Sequence, residues 1–236
     1  MKINVQSNLY TIVYASVMVI LVALGLSITA TSLKPLQEAN VQKEKQQNIL
    51  ASINVKCKRD QAPQLYKEYI KEAFVVDAEG NVIDGVNAFD VSLEEQNKLP
   101  LKERKLPVYV AEKDGKKYYI FPLRGKGLWG PIWGYVALED DLNTIYGVVF
   151  DHKGETPGLG AEIATEHFQK QFAGKKIFDE DGKFVSIAVV KGGAPEGDEH
   201  AVDAISGGTI TSKGLQAMIK DGLSAYVNFI LKQRSN

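Results

Sequence analysis

Between Leu9 and Leu33 the chain carries no charged side chain, and Ile12, Val13, Val17, Val19, Ile20, Leu21, Val22, Leu24 and Leu26 dominate the run. A helix of that length crosses a hydrocarbon core of about 30 Å. Tyr10 and Tyr14 stand near one end, where interfacial aromatics belong. A cleaved signal peptide is the competing reading. The run is longer than a usual signal core, only Lys2 precedes it, and Ile28-Thr29-Ala30 is a poor cleavage site, so an uncleaved anchor is expected. Charge does not assign its direction: Lys2 lies on one side, while Lys34, Lys43 and Lys45, accompanied by Glu38 and Glu44, follow on the other. The expected layout is an N-terminus over 1–8, a membrane helix over 9–33 closed by Pro35, a stalk over 34–60 and a folded domain over 61–236.

The folded part is long enough for one core. The 28 basic and 29 acidic side chains of the whole chain nearly cancel, which leaves no footprint for nucleic acid and no polybasic patch. Cys57 is the sole cysteine, so the chain forms no internal disulfide and holds no four-cysteine cluster. His152, His167 and His200 lack metal-ligand spacing, and no metal site is expected.

Pattern predicts a helix over 61–73, a hairpin from Phe74-Val75-Val76 to Val82-Ile83, and a stronger hairpin over 106–123 turning at Asp114-Gly115. Strands are expected over 132–138, 144–150 and 184–190, with an amphipathic helix over 161–172. A long terminal helix from about Ser212 presents Leu215, Met218, Ile219, Leu223, Tyr226, Val227, Ile230 and Leu231 on one face. The fold class is therefore α+β, with a largely antiparallel sheet and flanking helices.

Three stretches carry chemistry. Asp203 to Gly214 is a loop rich in glycine and hydroxyls that enters the terminal helix. Gly207 and Gly208 permit close backbone approach, and free amides at a helix start favour a phosphate. The plainer alternative makes Thr211 or Ser212 the helix cap. In Gly125 to Tyr135, glycines beside Trp129 and Trp133 offer a slot for a flat ring, or else a turn whose tryptophans fill the core. In His152 to Gly160, a proline and glycines fix a loop with amides free for a ligand. Glu155 there is a candidate base or, more plainly, a solvated carboxylate. No histidine is tied by a motif to a serine, which argues against a hydrolytic triad and against Ser206 as a nucleophile.

In order and spacing these stretches resemble the C subunit of the bacterial sodium-translocating NADH:quinone reductase. The likeness takes in the N-terminal anchor, Ser32-Leu33-Lys34-Pro35-Leu36-Gln37, Lys45-Gln46-Gln47-Asn48-Ile49-Leu50, Gly127-Leu128-Trp129-Gly130-Pro131, Glu155-Thr156-Pro157-Gly158-Leu159-Gly160 and the Asp203-to-Thr211 motif. The resemblance implies FMN joined by its phosphate to a threonine hydroxyl by a dedicated flavin transferase. The family's Ser-Gly-Ala-Thr falls on Ser206-Gly207-Gly208-Thr209, with glycine here in place of alanine. Thr209 is thus the implied acceptor and Thr211 the alternative, with Asp203 opening the flavinylation motif. Ser206, Gly207, Gly208, Leu128, Trp129, Glu155, Thr156, Gly158, Leu159 and Gly160 are the implied cofactor contacts. The resemblance also implies a periplasmic domain on a single-pass inner-membrane anchor, in a six-subunit complex with the A, B, D, E and F subunits. There the C subunit relays electrons from an iron–sulfur centre to the flavin of the B subunit during quinone reduction and sodium export, without catalysis of its own. The absence of a G-x-G-x-x-G fingerprint after a strand agrees with a chain that binds no nicotinamide. Two rivals remain: the homologous G subunit of the ferredoxin:NAD oxidoreductase complex, and an anchored binding or assembly module with no redox role.

Overall fold

The computed structural model describes residues 6–235; Lys2, counted above at the head of the anchor, lies outside the described residues. The chain divides into two compact units, Met1–Glu44 and Lys45–Asn236. The first is a stretch of helix α1 (Asn8–Ser52), which is long and apolar enough to cross a membrane and has its large apolar side chains exposed. Pro35 does not close this helix, contrary to expectation. A proline removes one backbone hydrogen bond from the turn before it, and the helix formers that follow carry the ladder on.

In the second unit α1 ends with Ile49, Leu50 and Ser52 buried, so its last turns belong to the folded body. Helix α2 (Ala62–Tyr69) is shorter than the pattern suggested, because β1 (Ile70–Val76) takes over its last residues. β1 is followed by β2 (Val82–Ile83) across a turn in which Asp77 Oδ1 accepts from the Asn81 amide at 2.8 Å. After the short helix α3 (Leu93–Gln96) come β3 (Leu106–Lys113), β4 (Lys116–Lys126), β5 (Pro131–Leu138) and β6 (Ile145–His152). They form one antiparallel sheet in the order β2-β1-β3-β4-β5-β6. Asp114 (φ 52°) and Gly115 (φ 73°) make the left-handed two-residue turn that matches strand twist between β3 and β4.

Beyond the sheet the predicted helix over 161–172 is broken into a 3-10 turn (Gly160–Ala164), the single turn α4 (Glu166–Gln169) and a second 3-10 turn (Lys170–Phe172). Thr165 interrupts it by capping α4 through its side chain, which accepts from the Phe168 amide. The expected strand over 184–190 is reduced to β7 (Ala188–Val190), which pairs in parallel with β8 (Ala201–Asp203). The terminal helix starts at Thr209 as α5 (Thr209–Ser224) and restarts as α6 (Val227–Arg234).

Alternation along β4 explains how the sheet is covered on both faces. Phe121 and Leu123 join Ile132 and Val136 against Leu215, Ile219 and Phe229 of α5 and α6. Tyr118 and Ile120 join Tyr109, Tyr135 and Ala137 against Ile49, Leu50 and Ile53. Each fully buried side chain of this size is worth about 1.5–3 kcal/mol, so the sheet is held from both sides. Most of the predicted terminal-helix face is buried, although Leu231 stays 42% exposed.

Candidate functional site

The turn between β4 and β5, the loop after β6, and Gly207-Gly208 with the first turn of α5 converge at one corner of the second unit. They line a cleft of about 380 Å³ formed by Leu128, Trp129, Glu155, Thr156, Leu159, Gly160, Gly207, Gly208, Thr209, Ile210 and Thr211. All of these but Ile210 belong to the site expected from sequence. The one signal for Ile210 is helical phase. Five residues before Leu215 it lies about 140° round the helix from the buried face, and it is 58% exposed.

Glu155 is not the solvated carboxylate that its loop suggested: it is 4% exposed. Its Oε1 accepts from the Trp129 amide at 2.8 Å, and its Oε2 accepts from the Thr211 hydroxyl at 2.6 Å. Its own amide donates to His152 Nδ1 at 3.1 Å. One side chain thereby joins all three stretches picked out in the sequence. Both flanks of that carboxylate are close-packed glycines, where an added methyl would have to displace it. A Cβ at Gly127 would lie 2.5 Å from Glu155 Oε1, and one at Gly160 would collide with both Glu155 Oε2 and Thr211 Oγ1.

Capping does not explain the Asp203-to-Gly214 loop. The residue preceding α5 is Gly208, which has no side chain to cap with. Thr211 and Ser212 are inside the first turn and buried, and Ser212 Oγ accepts from the Ile205 amide at 3.1 Å. The helix ladder begins with Ser212 N–H donating to Gly208 O at 2.9 Å. Among the described residues no acceptor meets the amides of Thr209, Ile210 and Thr211. Such amides, at the positive end of the helix dipole, attract a phosphate. The two threonines differ sharply. Thr211 is 1% exposed and its hydroxyl is engaged, whereas Thr209 is half-buried and its hydroxyl bonds to none of the described residues.

Asp203, Ser206 and Gly158 fall outside this cleft. They border a separate hollow of about 550 Å³ with Glu162, His167 and Gln171. Asp203 is tied down there, its amide donating to Gln171 Oε1 at 2.9 Å and its Oδ1 accepting from the Ala194 amide at 2.7 Å. The two tryptophans separate as well: Trp129 is 69% exposed at the cleft, while Trp133 lines a hollow with Lys45, Leu93 and Arg124. Among the described residues no cluster of His, Cys, Asp and Glu suits a metal ion.

Residues 127–224 match the family model described as an FMN-binding domain. The C subunit of the Na(+)-translocating NADH-quinone reductase of Vibrio vulnificus is 38% identical, covering 80% of each chain. That of Haemophilus ducreyi is 30% identical, covering 93% of this chain and 91% of its own. Among solved structures, the same reductase's C subunit from Parabacteroides distasonis superposes with a TM-score of 0.77 at 47% identity, covering 84% of this chain and 96% of the other. NqrC of Shewanella oneidensis gives 0.72 at 31% identity, over 83% and 98%. An apolar helix followed by a domain built on an antiparallel sheet, a match to the FMN-binding domain over 127–224, and this likeness over most of the length identify the chain as a member of the family of Na(+)-translocating NADH-quinone reductase C subunits, one component of an oxidoreductase complex.

Proposed function

We propose that this chain carries FMN as a phosphoester on Thr209 and relays electrons within a six-subunit complex containing the A, B, D, E and F subunits. In this reading it takes electrons from an iron–sulfur centre and gives them to the flavin of the B subunit, coupled to quinone reduction and sodium export. A flavin transferase installs the cofactor, 9–33 is the single-pass inner-membrane anchor, 34–60 the stalk, and 61–236 the periplasmic FMN-binding domain.

The observation that carries the reading is the difference between the two hydroxyls at the head of α5. Thr209 is accessible and free of any hydrogen bond among the described residues, and it lies beside three amides without acceptors. Thr211 is buried and donates to Glu155. The cleft fits the group: its exposed walls are Leu128, Trp129, Leu159 and Ile210, apolar surfaces suited to a flat ring, and the head of α5 brings amides without acceptors to the same cleft, donors suited to a phosphate. When bound, FMN supplies electron exchange one at a time. The residues of this chain would hold its phosphate at the head of α5 and flank its ring with Leu128, Trp129, Leu159 and Ile210.

The test is co-expression of the full chain with a flavin transferase, followed by denaturation and in-gel flavin fluorescence. Fluorescence is expected in the wild type and in Thr211→Ala, and none in Thr209→Ala. A dark wild-type band sinks the covalent reading, and a fluorescent Thr209→Ala band moves the attachment site.

A further inference from the structure

We infer that Glu155 is a positioning residue that locks the Trp129 arm onto the head of α5 and fixes a carboxylate in the cleft wall. This rests on the reading of that cleft as the flavin site. Burying a carboxylate is costly unless its oxygens are satisfied, and a side chain placed there without a role is better replaced by an apolar one. No Lys or Arg pairs with Glu155 among the described ion pairs. Its partners are instead an amide and a hydroxyl from two segments distant in sequence, Trp129 and Thr211. The 127–130 turn is otherwise thinly held. Gly127 N–H donates to Gly130 O at 2.8 Å, and the large side chains of Leu128 and Trp129 face outward rather than into a core. Without the bond from the Trp129 amide to Glu155, the wall that Leu128 and Trp129 supply has little to fix its distance from Thr209.

A second consequence follows from charge. The same carboxylate lines the cleft, so a ring bound there gains electrons beside a negative group that water screens poorly. Glu155 therefore favours the oxidised cofactor and lowers its midpoint potential.

Two variants separate the geometry from the charge. In Glu155→Gln the side-chain oxygen still accepts from the Trp129 amide, and the Thr211 hydroxyl turns to accept from the new amide. Glu155→Ala removes both bonds. The first readout is hydrogen–deuterium exchange of the 127–131 segment in the full, flavin-free chain in detergent. Exchange in Glu155→Ala is expected to be faster by about tenfold or more, and in Glu155→Gln to stay within about twofold of wild type. The second is the midpoint potential of the flavin-loaded chain, expected to rise in Glu155→Gln, which a purely structural role would not cause. Unchanged exchange in Glu155→Ala overturns the lock, and an unmoved potential in Glu155→Gln overturns the electrostatic role. If even the wild type takes up no flavin, the proposed function fails and the charge role falls with it, while the exchange comparison still decides the lock.

Discussion

The cleft corner and the core on the opposite face of the sheet follow inverse rules. Around Ile49, Leu50, Ile53, Tyr109 and Ile120, large side chains are apolar or aromatic and buried, and the fully buried phenol of Tyr109 is satisfied, donating to Ala88 O at 3.0 Å. At the cleft, Leu128, Trp129, Leu159 and Ile210 are exposed, while Glu155, Thr211 and Ser212 are buried. Those three make up most of the five buried polar or charged residues among the described residues, the others being Ser52 and Ser186. Departures from apolar-inside packing concentrate where function requires them, because elsewhere nothing offsets their cost. The first region therefore governs whether the domain folds, and the second, on the proposed function, governs what it holds once folded.

Breaking the first region should produce the largest effect. Leu50→Ala deletes a fully buried side chain and is expected to cost about 2–5 kcal/mol in denaturant unfolding. Flavin labelling of the fraction that folds should be unchanged. Loss of labelling in folded protein would show that the two regions are not separate.

Gly160→Ala strikes the second region. The added methyl collides with Glu155 Oε2 and Thr211 Oγ1, and the expected cost is about 1–3 kcal/mol. Labelling at Thr209 should fall more than stability alone explains. A variant as stable and as well labelled as wild type would mean that the junction has slack.

The smallest effect sharpens the comparison through pH. Lys45 is half-buried against Phe89, whose carbonyl accepts from its Nζ, and burial lowers its pKa to about 8 despite Asp90 nearby. The unfolded lysine keeps its proton to higher pH than the folded one. The unfolded state then binds more protons between about pH 8 and 10.5, and stability from this group rises across that window. Burial acts oppositely on tyrosine: Tyr66 is pushed up to about 12, and Tyr109 and Tyr226 are raised as well. Their contribution is complete below about pH 10 and is lost above it, as the unfolded phenols ionise. Urea midpoints measured from pH 7 to 10 should climb more steeply in wild type than in Lys45→Met. Equal slopes would remove Lys45 from the account.

Much of this arrangement is legible in the sequence where the determinants are local. Asp114-Gly115 identifies the β3–β4 hairpin because a two-residue turn states its requirement within two residues. The amphipathic run from Leu215 likewise discloses the helix that covers β4. The helix expected over 161–172 fails because Thr165 satisfies the backbone better as a cap, a competition that periodicity does not register. Glu155 departs furthest from expectation. Its loop looks solvent-facing, and its burial depends on partners 26 and 56 residues away. For Thr211 and Ser212, hydroxyls that suit a cap equally suit a buried bond back to a loop, and only tertiary contact distinguishes the two.

The proposed acceptor is a β-branched residue at the first position of a 16-residue helix. Its side chain has a single rotatable bond, stiff in χ1, between the backbone and the oxygen. As the proposed acceptor, Thr209 would be a very short leash. Cargo fastened to it cannot be diluted away, and its local concentration beside the cleft is set by geometry rather than by supply. On the proposed attachment, the cleft would need no tight equilibrium binding: weak apolar walls would suffice to orient a group already fastened beside them.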